Sequence, residues 1–369
     1  MLTDEEKDIL ALYGVPGVGA KTHARLLERF GSPAAVFSAA PEALTDLDGI
    51  GEKTAAAILT FDRGSFLKSQ IDLMEKCGAV MLTPSDEAYP PLLKLFRSAP
   101  PVLFVCGDVS AFADSMIAFV GTRRLTDYGE RMSRVLVSGV VSAGLCVASG
   151  MAAGVDSAAH RAALDAGGRT VAVFGCGVDV IYPVGNRKLA AEIEKSGCLV
   201  SHFPMGTPAI AGNFPARNAV VVGMSQGTVV VEAPERSGAL ITADLTLRAG
   251  RPLFAVPGNA DSKASAGANK LLERGARPAL TAADILAGLG MRMVGKGSMP
   301  AAPTVRLPVP EGLAGEIFML LGDGPLQIEE IGERLGNPIA DILNHLTELE
   351  MDGLVTQRPG KMFARRSVI

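Results

Sequence analysis

Two stretches, Ser115-Met-Ile-Ala-Phe-Val-Gly-Thr-Arg-Arg124 and Leu145-Cys-Val-Ala-Ser-Gly-Met-Ala-Ala-Gly-Val-Asp156, decide how this chain folds. Each begins with an apolar run that shows no polar alternation, then breaks into small and polar residues. Strands apolar at every position are buried on both faces, as in a parallel sheet. Between them Tyr128–Val141 carries apolar residues at helical spacing and supplies the crossover that parallel strands require. The pattern repeats outward. Strands are expected at Met116–Val120, Leu145–Ala148, Thr170–Phe174, Leu199–His202, Thr228–Val231 and Leu253–Val256. Helices are expected at Asp156–Ala166, Asn186–Lys195, Arg217–Met224 and Leu240–Arg248. This is a doubly wound α/β domain with an extended Rossmann-like, mostly parallel sheet. Tyr89-Pro-Pro-Leu-Leu93 and Pro101-Val-Leu-Phe-Val-Cys106 should add two short strands at one edge.

The first eighty residues contain no such strands. They hold two related segments, Leu12-Tyr-Gly-Val-Pro-Gly-Val-Gly-Ala-Lys-Thr-His-Ala-Arg-Leu-Leu27 and Leu47-Asp-Gly-Ile-Gly-Glu-Lys-Thr-Ala-Ala-Ala-Ile-Leu59. Each pairs a Gly-apolar-Gly hairpin with a helix, which resembles a tandem helix-hairpin-helix (SAM-like) module over residues 1–80. Free N–H groups at such helix starts hold phosphate oxygens without reading bases. A helical cap that touches no DNA is the equal alternative. Residues 81–290 form the Rossmann-like domain, and residues 291–310, rich in Gly, Pro and Met, read as a flexible linker. In 311–369, helices at Gly315–Leu321, Gln327–Leu335 and Ile339–Met351 precede a strand-turn-strand, the pattern of a winged helix.

Composition bounds the function. Apolar residues make up 48% and charged residues 20% of 369, enough for large cores and against wholesale disorder. The net charge of −4 gives no global attraction to nucleic acid, but its distribution is uneven. Residues 1–79 carry 8 Lys/Arg and 12 Asp/Glu, 80–290 carry 19 and 17, 291–310 carry 3 and 0, and 311–369 carry 5 and 10. An anion site therefore belongs in the middle. Val135 to Val155 is uncharged over 21 residues, yet Ser142-Ala-Gly144 interrupts it, so it reads as helix then buried strand and not as a membrane span. Five scattered cysteines without Cys-x-x-Cys pairs fit neither a zinc site nor a disulfide framework; a reducing cytoplasm is expected. The acidic start, Met-Leu-Thr-Asp-Glu-Glu-Lys, is unlike a signal peptide.

Chemistry concentrates at the strand ends, which converge on one crevice in an open α/β sheet. There lie Gly121-Thr-Arg-Arg124, Ser149-Gly150 with Gly154 and Asp156, Gly175 and Gly177 with Asp179, Glu232, Ser237-Gly238 with Thr242, and Gly258. Glycine ends strands in any such fold, but five clusters carrying Arg, Asp, Ser and Thr exceed that. No Gly-x-Gly-x-x-Gly fingerprint and no Gly-x-x-x-x-Gly-Lys-Ser/Thr loop is present, so NAD, ATP and other cofactors are not expected.

Seven pieces in order then resemble one family, DprA/Smf (DNA-processing protein A). They are Phe119-Val-Gly-Thr-Arg-Arg124, Ser149–His160, Val171–Asn186, Phe214-Pro-Ala-Arg-Asn218, Val230-Val-Glu-Ala233, Ser237–Ala243 and Phe254–Gly258. The resemblance covers 81–290. It implies a cytoplasmic, non-catalytic protein that binds and protects single-stranded DNA and helps load RecA recombinase during natural transformation. It also implies a homodimer formed through the Rossmann-like domain.

The residues themselves fit strand binding. Arg123 and Arg124 can pair with phosphates, Arg123 more freely because Arg124 has the alternative of a carboxylate. Phe214 beside Arg217 is a stacking platform beside a cation, although an isolated Phe is more often core. Gly121, Thr122, Arg123, Arg124, Ser149, Gly150, Gly154, Asn186, Phe214, Arg217 and Asn218 are the expected DNA contacts. Asp156 and Asp179 would repel phosphate and are expected to bind loop N–H groups, and His160 to pack on its helix. Glu232, Gly175, Gly177, Ser237, Gly238, Thr242 and Gly258 shape the site. The chain departs from the family at Ala211 and Ala219, usually basic, and at Ser201-His202-Phe203-Pro204, usually Ser-Glu-x-Pro. Two fewer cations lower both affinity and salt dependence. The expected recognition helix, Pro338–Asp352, holds four acids and no Lys or Arg, which favours protein contact over duplex reading; Arg358, Lys361, Arg365 and Arg366 on the hairpin remain for backbone contact. One alternative is a phosphoribohydrolase-like enzyme using Gly150, Asp156 and Glu232, though its Pro-Gly-Gly-x-Gly-Thr loop is missing. Another is a transcriptional regulator acting through the winged helix.

Overall fold

The computed structural model describes residues 2–96, 99–291, 312–322, 324–351, 354–358 and 362–365, which fall into two compact units divided between Val294 and Gly295. In the first unit, nine strands form one sheet: β1 Val80–Leu82, β2 Leu103–Gly107, β3 Met116–Val120, β4 Cys146–Ser149, β5 Thr170–Val173, β6 Cys198–Ser201, β7 Thr228–Val230, β8 Leu253–Ala255 and β9 Arg277–Pro278. Their order is β1-β2-β6-β5-β4-β3-β7-β8-β9, with β1 and β2 antiparallel and the rest parallel. The apolar runs of the six central strands are buried throughout, which is why they show no alternation. Helices Asp127–Ser142 and Val155–Asp165 cover one face with Leu136, Val140 and Ala159, and the helix Asn213–Met224 covers the other with Val220, Val221 and Met224.

Three details correct the sequence reading. Tyr89-Pro-Pro-Leu-Leu93 is not a strand: two prolines lack ladder donors, and Pro91 opens a short helix, Pro91–Lys94. Tyr89 is buried there and donates to the Pro100 carbonyl at 2.8 Å. The edge strand is instead Val80-Met-Leu82, registered against Leu103–Val105. The helix expected to open at Arg217 opens at Asn213, because Pro215 falls in a first turn whose N–H groups need no partner. Phe214 and Arg217 thus sit three residues apart on one helical face. The two-residue β9 was not anticipated and is too short to show any period.

The helical module belongs to the same unit. Its hairpin glycines Gly17 and Gly49 have φ of 90° and 84°, open only to glycine at low strain. Helix Arg63–Cys77 carries the module onto the sheet, where the Gln70 amide accepts from Met205 N at 2.7 Å and donates to Met205 O at 3.3 Å. Leu10, Tyr13 and Met74 share a core with Phe104 and Phe174.

In the second unit, helices Gly312–Leu320, Ile328–Leu335 and Ile339–Met351 pack Ile317, Ile331, Ile342 and Leu346 around Phe363. Its sheet places Met362–Arg365 between Leu326–Gln327 and Val355–Arg358, a winged-helix arrangement. The expected linker lies outside the described residues apart from Met291. Among the described residues, no helix is long and apolar enough to cross a membrane.

Candidate nucleic-acid interface

The crevice at the carboxyl ends of β4 and β5 is built around Arg217, whose side chain is buried. Its Nη1 donates to the Gly150 carbonyl and, at 2.7 Å, to the Val173 carbonyl; its Nε donates to Asn218 Oδ1 at 3.0 Å. The guanidinium therefore clips two strand ends together. A Cβ on Gly150 would come within 2.4 Å of it, so glycine is required there. Burial lowers the Arg217 pKa, opposed by the nearby Asp156 carboxylate. The expectation that Arg217 offers a free cation to phosphate is corrected here, since carbonyls already hold it.

One turn earlier the half-buried Phe214 ring lies with its centroid 5.6 Å from the Arg217 Cζ. Its seat depends on Gly175, where a Cβ would stand 2.8 Å from the ring. From the β3 loop, Arg123 reaches over the same ring, Cζ 5.2 Å from the centroid. Arg123 and Arg124 are exposed, and neither pairs with a carboxylate among the described residues. Tyr182, 43% exposed, stands 6.0 Å from Phe214 between centroids at 40°. Two aromatic faces and an unpaired guanidinium thus line one hollow, with Gly150, Gly175 and Pro183 beneath them.

Several of the expected contacts are buried or hydrogen-bonded within the protein. Ser149 is fully buried and donates to the Phe119 carbonyl at 2.6 Å, and the Asn186 amide donates to Met151 O and Ser157 Oγ, both at 2.9 Å. Thr122 Oγ1 accepts from Arg124 N at 3.1 Å, holding the arginine loop. Gly154 has φ of 83°, and a Cβ there would stand 2.1 Å from the Thr122 carbonyl; Gly121 lies as tightly against Val155. Asp156 accepts from Ala152 N at 3.2 Å, and Asp179 from Gly206 N at 2.9 Å beside Gly177, each on a loop N–H. Burial raises the Asp156 pKa although Arg217 opposes it. Glu232 accepts from Thr126 N and Oγ1 at 3.1 and 2.5 Å, anchoring the start of the helix that follows. Gly258 is joined to Asn269 by two 3.1 Å bonds outside the crevice. Ser237 caps the helix Gly238–Arg248, and Thr242 is buried one turn in. These line a second, adjoining hollow. Sequence reasoning passed over Tyr182 and Arg236; the signal for Tyr182 was an aromatic residue in a glycine-rich polar loop.

His160 is fully buried, its Nδ1 2.7 Å from Thr170 Oγ1, and desolvation lowers its pKa to about 3. Desolvation does the same to His202, to about 3, and to His23 in the helical module, to about 4.

In the helical module, the helices after both hairpins begin without side-chain caps, at Gly19 and Gly51, and leave N–H groups open. In the second unit, the helix Ile339–Met351 keeps its acidic surface. Arg365 is engaged, donating to the Phe318 carbonyl with its Cζ 4.1 Å above that ring. Lys361, Arg366 and the Arg358 side chain lie outside the described residues.

An aromatic platform at the carboxyl ends of the central strands of a Rossmann-like sheet, with a helix-hairpin-helix module before it and a winged helix after it, defines the class of modular DNA-processing proteins. The chain belongs to the DprA/Smf family: the model for DNA recombination-mediator protein A matches residues 80–290, more than half of the chain. Models for a DprA winged helix domain and a SAM-like helix-hairpin-helix tandem match 300–361 and 9–61. The chain is 33% identical to Protein Smf of Synechocystis over 99% of this chain and 100% of that protein. It superposes on DNA processing protein A of Streptococcus pneumoniae with a TM-score of 0.66, at 29% identity over 78% of this chain and 98% of that one. A structure of the Helicobacter pylori protein, described for its unique single-stranded DNA binding mode, matches with a TM-score of 0.52 at 29% identity, covering 57% of this chain and 95% of that one.

Two predictions follow from this geometry. Arg217→Ala strands two buried carbonyls and the Asp156 carboxylate, so urea unfolding should show a loss of roughly 3–5 kcal/mol, whereas Arg123→Ala should stay within about 0.5 kcal/mol. Equal effects would contradict the division between support and surface. The histidines set the pH dependence. Their folded pKa values are depressed, so below about 6.5 the unfolded chain binds more protons and stability falls with pH. By pH 5 each should cost about 2 kcal/mol, offset in part by Asp156, whose raised pKa works the other way. The urea midpoint should be lower at pH 5 than at pH 7; an unchanged midpoint would contradict the buried neutral histidines.

Proposed function

We propose that this protein binds single-stranded DNA in the crevice of its Rossmann-like domain, as a mediator and not a catalyst. The observation that carries the reading is the stack of exposed Arg123 over half-buried Phe214, with Tyr182 alongside. A splayed base stacks on an aromatic face while a guanidinium takes the adjoining phosphate; such stacking ignores base identity. Duplex bases, already stacked on each other, cannot insert. The single-strand-binding relative from Helicobacter pylori supports the same choice.

Absence of catalysis is part of the proposal. Glu232 is spent on Thr126, Asp156 faces a loop N–H, and His160 is buried and held neutral. That leaves the phosphoribohydrolase-like alternative without a free acid-base pair. Membership of a recombination-mediator family supports the further step of handing the strand to RecA recombinase. Self-association through the Rossmann-like domain completes the proposal; the exposed Val135 and Leu280, on segments joined where Gly139 meets Ala282, supply apolar surface for it. The winged helix, acidic on its candidate recognition helix, is assigned to protein contact.

Fluorescence anisotropy with labelled oligonucleotides tests the site. Wild type should prefer single strands to duplex, and Phe214→Ala should weaken binding by about 1–3 kcal/mol. Arg123→Ala should weaken it and reduce the log-log salt slope by about 0.7. No single-strand preference, or indifference to Phe214→Ala, would overturn the assignment.

A further inference from the structure

The second hollow adjoins the first but lies at a different point of the sheet. Strand order runs from β3 to β4 on one side and from β3 to β7 on the other, so the β3–β7 gap is where the winding reverses. Open α/β sheets bind ligands at such switch points. Here the gap opens into a hollow of about 290 Å³, at the lower limit for small-ligand sites of roughly 300 Å³.

Its lining is arranged for an anion. Arg123 comes from the β3 loop and Arg236 from the β7 loop; both are exposed and neither has a carboxylate partner among the described residues. The helix Gly238–Arg248 begins at the rim with its N-terminal dipole toward the hollow. Thr242, 1% exposed, also lines the hollow. The one carboxylate in the lining is Asp156, beside the Arg217 guanidinium.

We propose that this switch-point hollow is a phosphomonoester site, taking the 5′-phosphate of a nucleotide between Arg123, Arg236, the Thr242 hydroxyl and the start of helix Gly238–Arg248. A phosphomonoester carries a charge of about −1.5 to −2 at pH 7 and three acceptor oxygens, which suits donors converging from two loops and a helix. A phosphodiester offers fewer. Two sources present this group: a free nucleoside monophosphate and the 5′ end of a DNA strand lying in the neighbouring crevice. Only the second rests on the strand-binding proposal.

Titration calorimetry of the full chain with dTMP, thymidine and inorganic phosphate, without DNA, tests the site by itself. dTMP should bind, phosphate more weakly, and thymidine should show no binding; Arg236→Ala should weaken dTMP by about tenfold or more, and Thr242→Val should weaken it severalfold, with melting temperatures confirming that both variants fold. Anisotropy with 5′-phosphoryl and 5′-hydroxyl oligonucleotides then separates the sources. A preference for the phosphorylated strand that disappears in Arg236→Ala identifies the strand end; dTMP binding with no such preference identifies the free nucleotide. Equal behaviour of dTMP and thymidine, or dTMP binding unchanged in both variants, overturns the site. The crevice proposal fails separately, if Phe214→Ala binds a 5′-hydroxyl strand as wild type does.

Discussion

The contact on which the crevice depends is the buried Arg217 guanidinium bonded to the Gly150 and Val173 carbonyls. Those carbonyls end two adjacent parallel strands, where ladder pairing stops and polar backbone would otherwise be left bare. A buried cation is costly unless its donors are satisfied. Here two carbonyls and Asn218 accept from it, the Asp156 charge lies nearby, and the guanidinium stands beside the Phe214 ring. The helix that delivers Arg217 thereby also delivers the ring one turn earlier.

This coupling explains why small residues crowd the strand ends. Gly150 yields to the guanidinium, Gly175 to the ring, and Gly154 turns the chain against the Thr122 carbonyl. Each lets an element approach where a Cβ would collide. The result is a close-packed floor carrying two exposed guanidiniums, Arg123 and Arg124. On the proposed reading, affinity comes from the exposed side chains and geometry from the buried ones. The chain's alanines at 211 and 219 then act on affinity and not on shape.

Much of this was legible in the sequence because its causes are local. Unalternating apolar runs such as Met116–Val120 and Thr170–Val173 announce doubly buried strands, and Gly121, Gly150 and Gly175 mark their ends. Misreadings arose where tertiary context decided. The helix expected at Arg217–Met224 begins at Asn213, because the first helical turn tolerates Pro215, so Phe214 joined the helix. Arg217 looked like a surface cation because charge alone does not reveal two waiting carbonyls. Val80–Leu82 was hidden because a three-residue edge strand exists only through its partner. The switch-point hollow was invisible as a unit, since its members lie more than a hundred residues apart and only the strand order brings them together.

The central claim is that a base of a single strand rests on Phe214 and Tyr182 beneath Arg123. Photocrosslinking the full chain to an oligonucleotide carrying one 5-iodouracil, followed by peptide mapping, tests it without altering the protein. The account predicts adducts on Phe214 or Tyr182. Adducts confined to the helical module or to the winged helix would contradict it.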